Sequence, residues 1–360
     1  MDHALRRERL EERLRELGVD ALLVTRLPNV RYLTGFTGSN GQLVVGPNGS
    51  VLFTDGRYEH QSSREVPDVR REIYSETFAE RAAAWGGAAG VTRIGFEAAG
   101  LTYKVWSDLR DRVAGAFDLV STDGEVERLR VAKERSEIEA IARAQACADE
   151  AFDRVVLGGG VREGVTERGL ARSLEEAMRD AGADDLAFDP IVAFGEQAAE
   201  PHHSPTDRPL APGDVVKLDF GAIVDGYHSD MTRTVALGEP RPELRTMHDL
   251  VAVAQRRAME TVRAGAGLAV VDRAARGAID DAGFGDSFPH GLGHGVGLEI
   301  HEDPRLRWDA DGELAEGAVV TIEPGVYVPG LGGVRIEDMV EVTSDGCRAM
   351  ARSTREMVVL

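Results

Sequence analysis

Cysteine is almost missing from this chain. Cys147 and Cys347 stand alone and far apart, so neither a disulfide framework nor a thiolate zinc site can be built from them. That scarcity fits a reducing cytoplasm. No apolar run approaches the roughly 18 residues of a membrane span, and residues 1–17 are charged, with no apolar signal core. Basic excess is missing too. The 42 Lys and Arg face 62 Asp and Glu, and a net charge of −20 argues against a nucleic-acid surface. Internal repeats and low-complexity tracts are also lacking. What is present is ordinary for a soluble globular protein, with 42% hydrophobic and 29% charged residues, and 360 residues leave room for two domains.

The first part of the chain alternates helix and strand signals. Leu5, Leu10, Leu14 and Leu17 recur at helical spacing up to Gly18. A strand over 21–25, a helical turn over 29–33 and a hairpin of 42–45 with 51–54 around Gly46-Pro47-Asn48-Gly49 follow. A helix over 57–64, a strand over 93–96 and a helix over 103–112 complete a small α/β unit. The polar cluster Ser121-Thr122-Asp123-Gly124 sets the expected domains at 1–124 and 125–360. Beyond it, helices are predicted over 136–156, 165–181, 250–262 and 270–282, and strands over 191–194, 214–220, 227–235, 318–323 and 334–342. Together they predict an α+β domain in which helices cover one face of a curved antiparallel sheet.

Chemistry-bearing residues concentrate in that second domain. In Pro289-His290-Gly291-Leu292-Gly293-His294-Gly295-Val296-Gly297-Leu298-Glu299-Ile300-His301-Glu302, three histidines are interleaved with glycines that let the chain approach a bound group. A tight turn with solvent-facing histidines is the plainer alternative. Asp219 sits near the end of an apolar strand. Counting outward from a two-residue Asp225-Gly226 hairpin turn sets Val224 against Tyr227, Asp219 against Thr232 and Asp230 against Gly221. Asp219 and Asp230 then become diagonal neighbours on one face, where two half-buried carboxylates repel unless a cation or a salt bridge compensates them. Glu323, at the end of Val319-Val320-Thr321-Ile322, and Glu337, inside Val334-Arg335-Ile336-Glu337-Asp338, are two more acids in apolar runs; edge strands facing water would also explain them. Four carboxylates and His294, without a thiolate, suit a pair of Mn²⁺, Co²⁺ or Zn²⁺ ions better than one structural zinc.

These segments, in this order and from Asn29-Val30-Arg31-Tyr32-Leu33-Thr34-Gly35 almost to the C-terminus, resemble the pita-bread metallopeptidases. Within that family they most resemble the proline-specific branch, prolidase (Xaa-Pro dipeptidase) and aminopeptidase P. The resemblance implies a creatinase/prolidase-type N-terminal domain for capping and dimerisation, a pita-bread catalytic domain, and a homodimer acting on proline-containing peptides. It implies two divalent metal ions, Mn(II) first and Co(II) or Zn(II) as alternatives. Asp219, Asp230, His294, Glu323 and Glu337 would hold them, and paired ions would lower the pKa of a bound water to supply the attacking group. Glu323 would shuttle the proton, His301 would donate to the oxyanion, and His202 would face the substrate. His290, Arg335 and Tyr327 would bind the substrate, with Arg335 gripping a C-terminal carboxylate through its planar fork. His203, His228 and His248 are read as surface or packing residues. The implied activity is hydrolysis of Xaa-Pro dipeptides; aminopeptidase P action on longer peptides, a non-catalytic peptide-binding domain and a metal-free creatinase-like hydrolase are the alternatives. The last two conflict with a complete set of five ligand positions.

Overall fold

The opening leucine stripe folds as a helix, α1 (His3–Leu17), in the computed structural model of the chain, which describes residues 1–46 and 49–360. Asp2 caps it by accepting from the Leu5 N–H at 3.0 Å, and Gly18, at φ 63°, ends it in the left-handed conformation. There follow β1 (Ala21–Val24), α2 (Leu27–Thr34), β2 (Gln42–Val45), β3 (Val51–Asp55), α3 (Glu59–Glu65), β4 (Arg70–Tyr74), α4 (Phe78–Ala89), β5 (Arg93–Glu97), α5 (Tyr103–Val113), β6 (Asp118–Thr122) and α6 (Glu125–Arg130). The strands form one mixed sheet in the order β4-β3-β2-β1-β5-β6. Strands β2 and β3 pair as the expected hairpin, Gln42 against Phe53; Pro47 and Asn48 of its loop lie outside the described residues. Strands β4 and β6 are absent from the sequence reading because they are half-exposed edges with little apolar content.

This first unit runs from Met1 to Arg130, past the expected boundary at residue 124. Helix α6 belongs to it. Arg130 Nη1 donates to Asn29 Oδ1 at 2.7 Å, and Arg13 and Arg26 pair with Glu125 and Glu127 at 2.9 and 2.7 Å. The charged residues just past the expected boundary are therefore a helix held by its charges.

The second unit spans Val131–Leu360. It contains α7 (Arg135–Ala151), which widens into π-type turns over Phe152–Gly160, then α8 (Glu167–Asp180), β7 (Asp185–Leu186), β8 (Ile191–Phe194), β9 (Val215–Phe220), β10 (Ala222–Val224), β11 (Tyr227–His228) and β12 (Met231–Ala236). Next come α9 (Pro242–Thr261), α10 (Leu268–Asp281), β13 (Gly293–Gly295), β14 (Glu302–Leu306), β15 (Val319–Ile322), β16 (Gly325–Val328), β17 (Gly332–Arg335), β18 (Asp338–Val342) and β19 (Cys347–Ala349). Helix α9 starts at Pro242, before the expected residue 250, because its first turns are polar and proline suits a first helical position.

Two apolar cores support this unit. In one, Phe152, Leu174 and Met178 from the α7–α8 region pack on Val192, Leu218 and Phe220 of the sheet β12-β9-β8. In the other, Val251 and Ala254 of α9 and Val271 and Ile279 of α10 pack with Val320, Ile322 and Val340 of the sheet β14-β13-β15-β18-β19. Each of the larger side chains, Val, Leu, Ile, Phe and Met, contributes roughly 1.5–3 kcal/mol by leaving water. The run 334–342, expected as one strand, is two. Strand β17 pairs with β16, β18 pairs with β15 and β19, and Ile336 and Glu337 bridge the two sheets.

Buried polar groups lock that bridge. Arg233 donates to Asp338 Oδ1 at 2.8 Å and to the carbonyls of Thr232 and Glu337 at 2.9 and 2.6 Å. The Gln255 amide of α9 donates to Asp338 Oδ2 at 2.9 Å and reaches the Ile322 and Ile336 carbonyls at 3.1 and 3.3 Å. Breaking a buried pair such as Arg233–Asp338 costs about 3–5 kcal/mol, so the backbone beside Glu323 and Glu337 is held firmly.

Candidate metal centre and active site

The Asp225-Gly226 turn adopts the left-handed conformation at both residues, φ 51° and 75°, as a two-residue hairpin turn requires. The register counted from it holds along the whole ribbon. Val224 pairs with Tyr227, and Asp219 pairs with Thr232. A Cβ at Gly221 would lie 1.9 Å from the Ser229 carbonyl oxygen, so only glycine lets the strand carrying Asp230 come this close.

The glycines around His294 have an equally concrete reason. Strand β13 is squeezed between β14 and β15. A Cβ at Gly293 would meet the Thr321 carbonyl oxygen at 2.0 Å, and one at Gly295 would meet the Asp303 carbonyl oxygen at 2.2 Å. Glu323, just past β15, is placed by its N–H donating to the Leu292 carbonyl at 2.9 Å; the Glu337 N–H donates to the Thr232 carbonyl at 3.1 Å.

All five side chains converge on one cavity of about 630 Å³ in the second unit. Ligand atoms of Asp230, His294 and Glu337 lie within 4.8 Å of one another. The His294 Nδ1–H donates to the Gly295 carbonyl at 3.0 Å. That leaves the lone pair on Nε2, which faces Asp230 Oδ2 at 3.6 Å and Glu323 Oε1 at 3.4 Å. Burial lowers the His294 pKa to about 3, so the ring is neutral. Burial first, then the neighbouring carboxylates, push Asp230 and Glu337 well above the usual carboxylate range. Burial raises Glu323 to about 7, against the pull of Arg335. Asp219 Oδ1 is buried without a hydrogen-bond partner. An imidazole lone pair, an orphaned carboxylate oxygen and three acids resisting ionisation fit divalent cations, which remove every one of these penalties.

His202, His290 and His301 line the same cavity. The His301 ring stands edge-on to His294 with centroids 4.4 Å apart, and partial burial and then Arg305 keep its pKa below 6.5. His290 donates from Nδ1 to the Gly291 carbonyl at 2.8 Å, leaving Nε2 to accept from the Tyr327 hydroxyl at 3.0 Å.

Two of the expected substrate residues are engaged within the protein. Arg335 lines the cavity, but Nε donates to Thr232 Oγ1 at 3.0 Å, Nη1 to Tyr327 Oη at 2.8 Å and the Pro201 carbonyl at 3.2 Å, and Nη2 to Asp219. One N–H of its five is left, too few to fork around a carboxylate. Arg335 is instead the strut that orients Asp219. Tyr327 is buried behind the cavity wall, where burial raises its hydroxyl to about 12, and its hydroxyl joins Arg335 to His290. His203, read as surface or packing, is buried between Glu167 Oε2 at 2.9 Å and Glu200 Oε2 at 2.7 Å. His228 packs with Nδ1 on the Gly297 carbonyl at 3.0 Å. His248 is a buried residue of α9.

The sequence reading missed Arg305. It is exposed, lines the cavity and stands opposite His294 in the β13–β14 ladder. Among the described residues it has no hydrogen-bond or ion-pair partner. Strand β14 begins Glu302-Asp303-Pro304-Arg305, and the proline and charges hide it from any periodicity test.

Comparison with known proteins agrees with this geometry. Residues 139–344 match metallopeptidase family M24, and residues 6–132 match the Creatinase/Prolidase N-terminal domain. An Xaa-Pro dipeptidase of Pyrococcus furiosus is 33% identical over 98% of this chain and 100% of its own. The solved structure of an Xaa-Pro dipeptidase from Bacillus anthracis superimposes with a TM-score of 0.97 at 37% identity, covering 100% of both chains. That of an X-Pro aminopeptidase from Thermotoga maritima gives 0.90 at 34% identity, covering 98% of this chain and 99% of its own. The chain belongs to metallopeptidase family M24. It is a metallopeptidase with an α+β pita-bread catalytic domain preceded by a creatinase/prolidase N-terminal domain. Among the described residues, no helix is long and apolar enough to cross a membrane.

Proposed function

We propose that this metallopeptidase hydrolyses the Xaa-Pro bond of dipeptides. The observation carrying the dipeptide reading is Arg305, a guanidinium without a partner among the described residues, inside the cavity that holds the five expected ligands. A carboxylate receptor so close to the reacting centre suits a substrate whose chain ends one residue past the scissile bond. The preference for proline rests on the activities named for the relatives.

In this reading Asp219, Asp230, His294, Glu323 and Glu337 hold two divalent ions, Mn(II) first among them. When bound, such ions draw a nucleophile from water at neutral pH and polarise the scissile carbonyl. The residues do the rest. Glu323 accepts the proton of the attacking water and returns it to the proline nitrogen. Neutral His301 donates to the carbonyl oxygen as negative charge develops there. Arg305 takes the C-terminal carboxylate, His202 and His290 line the substrate, and Arg335 keeps Asp219 aimed. The family resemblance supports a cytoplasmic homodimer.

The test is metal analysis of the purified protein, joined to chelation and add-back assays on Xaa-Pro and Xaa-Pro-Yaa peptides. Metal-dependent turnover of the dipeptides is expected. Cleavage restricted to the longer peptides would replace the dipeptidase reading with aminopeptidase P.

A further inference from the structure

A second charged side chain lines the cavity without a partner, and its sign is opposite to that of Arg305. Asp189 is exposed and makes no hydrogen bond or ion pair among the described residues. The other acids lining the cavity are the ligands Asp219, Asp230, Glu323 and Glu337, and its other arginines are engaged, Arg335 by Asp219 and Arg307 by Asp309. Outside the ligand cluster and its strut, the cavity thus offers, among the described residues, one free anion and one free cation.

The position of Asp189 is defined by its neighbours. Ile191 pairs with Asp219 across β8 and β9, which sets this wall beside the ligand cluster. Two extended residues span about 7 Å, so Asp189 stands roughly one substrate residue away from that contact. Pro190 is buried, and a following proline restricts Asp189 to extended backbone, so the segment that carries the carboxylate is set before anything binds. Phe188, Pro190 and Ile191 on the same wall have no side-chain acceptor for an ammonium. A dipeptide is a zwitterion with its charges at opposite ends, and the cavity offers the complement.

We propose that Asp189 binds the α-ammonium of the residue before proline and so makes the enzyme selective for a free N-terminus. The inference rests on the Xaa-Pro dipeptidase reading and adds the amine end of that subsite. Asp189→Asn keeps the shape and removes the charge. In the metal-loaded enzyme its KM for an Xaa-Pro dipeptide should rise about tenfold, the size of one charge-assisted contact, with kcat held within about twofold. N-acetylproline keeps the amide and the carboxylate but has no ammonium, so its inhibition constant should not move. A KM that stays put, or a KM and an inhibition constant that rise together, would overturn the assignment. Wild-type enzyme that cleaves no Xaa-Pro substrate would overturn both readings at once. Wild-type cleavage with an indifferent Asp189→Asn variant would remove only this one.

Discussion

Replacing Arg305 with methionine tests the dipeptide reading most directly. The side chain is exposed and without a partner among the described residues, so removing it leaves no buried group unsatisfied and should change folding stability by no more than about 0.5 kcal/mol. A hydrogen bond to a charged group contributes about 1.5–3 kcal/mol, and exposure puts Arg305 at the lower end. At 1.4 kcal/mol per factor of ten, kcat/KM for an Xaa-Pro dipeptide should fall about tenfold to thirtyfold. Arg305 also lowers the pKa of His294, His301 and Glu323 through space, so the variant will shift turnover of every substrate somewhat.

The readout is therefore a ratio. The same dipeptide with its C-terminal carboxylate converted to an amide feels the through-space effect but makes no ion pair. The loss in kcat/KM should be about tenfold larger for the acid than for the amide. Equal losses would refute the carboxylate receptor. A larger loss for the amide would move the receptor elsewhere in the cavity.

The remaining predictions concern the cluster, its support and a site remote from it. Glu323→Gln should abolish turnover while leaving the melting temperature of the metal-free protein at or above that of metal-free wild type, since it removes a carboxyl that burial already holds near 7; near-normal peptide hydrolysis by the metal-loaded variant would reject the shuttle role. Gly293→Ala forces a Cβ to within 2.0 Å of a backbone oxygen, so a destabilisation of about 3 kcal/mol is expected, with a drop in cation affinity measured by titration. Burial holds His248 at about 4 in the folded chain against 6.5 as a free side chain. The unfolded chain therefore binds the proton first, and the stability it supplies, on the order of 3 kcal/mol, is complete above pH 6.5 and lost as pH falls towards 4. Denaturation of His248→Leu should show a shallower decline than wild type over that window, and parallel curves would refute the assignment.

What the chain discloses to a reader of its sequence depends on how local the determining contact is. The pairing of Asp219 with Thr232 was countable because a two-residue turn lies between their strands and glycine fixes its geometry. The bridge at Ile336 and Glu337 was not, because the strand changes sheets without any break in its apolar pattern; the cause is Glu337 N–H bonding to Thr232 across more than a hundred residues. The same distinction separates the two arginines. Arg335 looks available because a sequence gives its charge and not its partners, and four groups from Pro201, Asp219, Thr232 and Tyr327 take up four of its five donors. Arg305 was overlooked because its strand is polar and its neighbour, His294, is reached only across a bulged ladder. Ligand identity was legible because acids in apolar runs are conspicuous. Substrate recognition depends on which charges are left without partners, and partners are set by tertiary contact. Assigning the two ends of the substrate to Arg305 and Asp189 is therefore a claim that only the folded cavity could have raised.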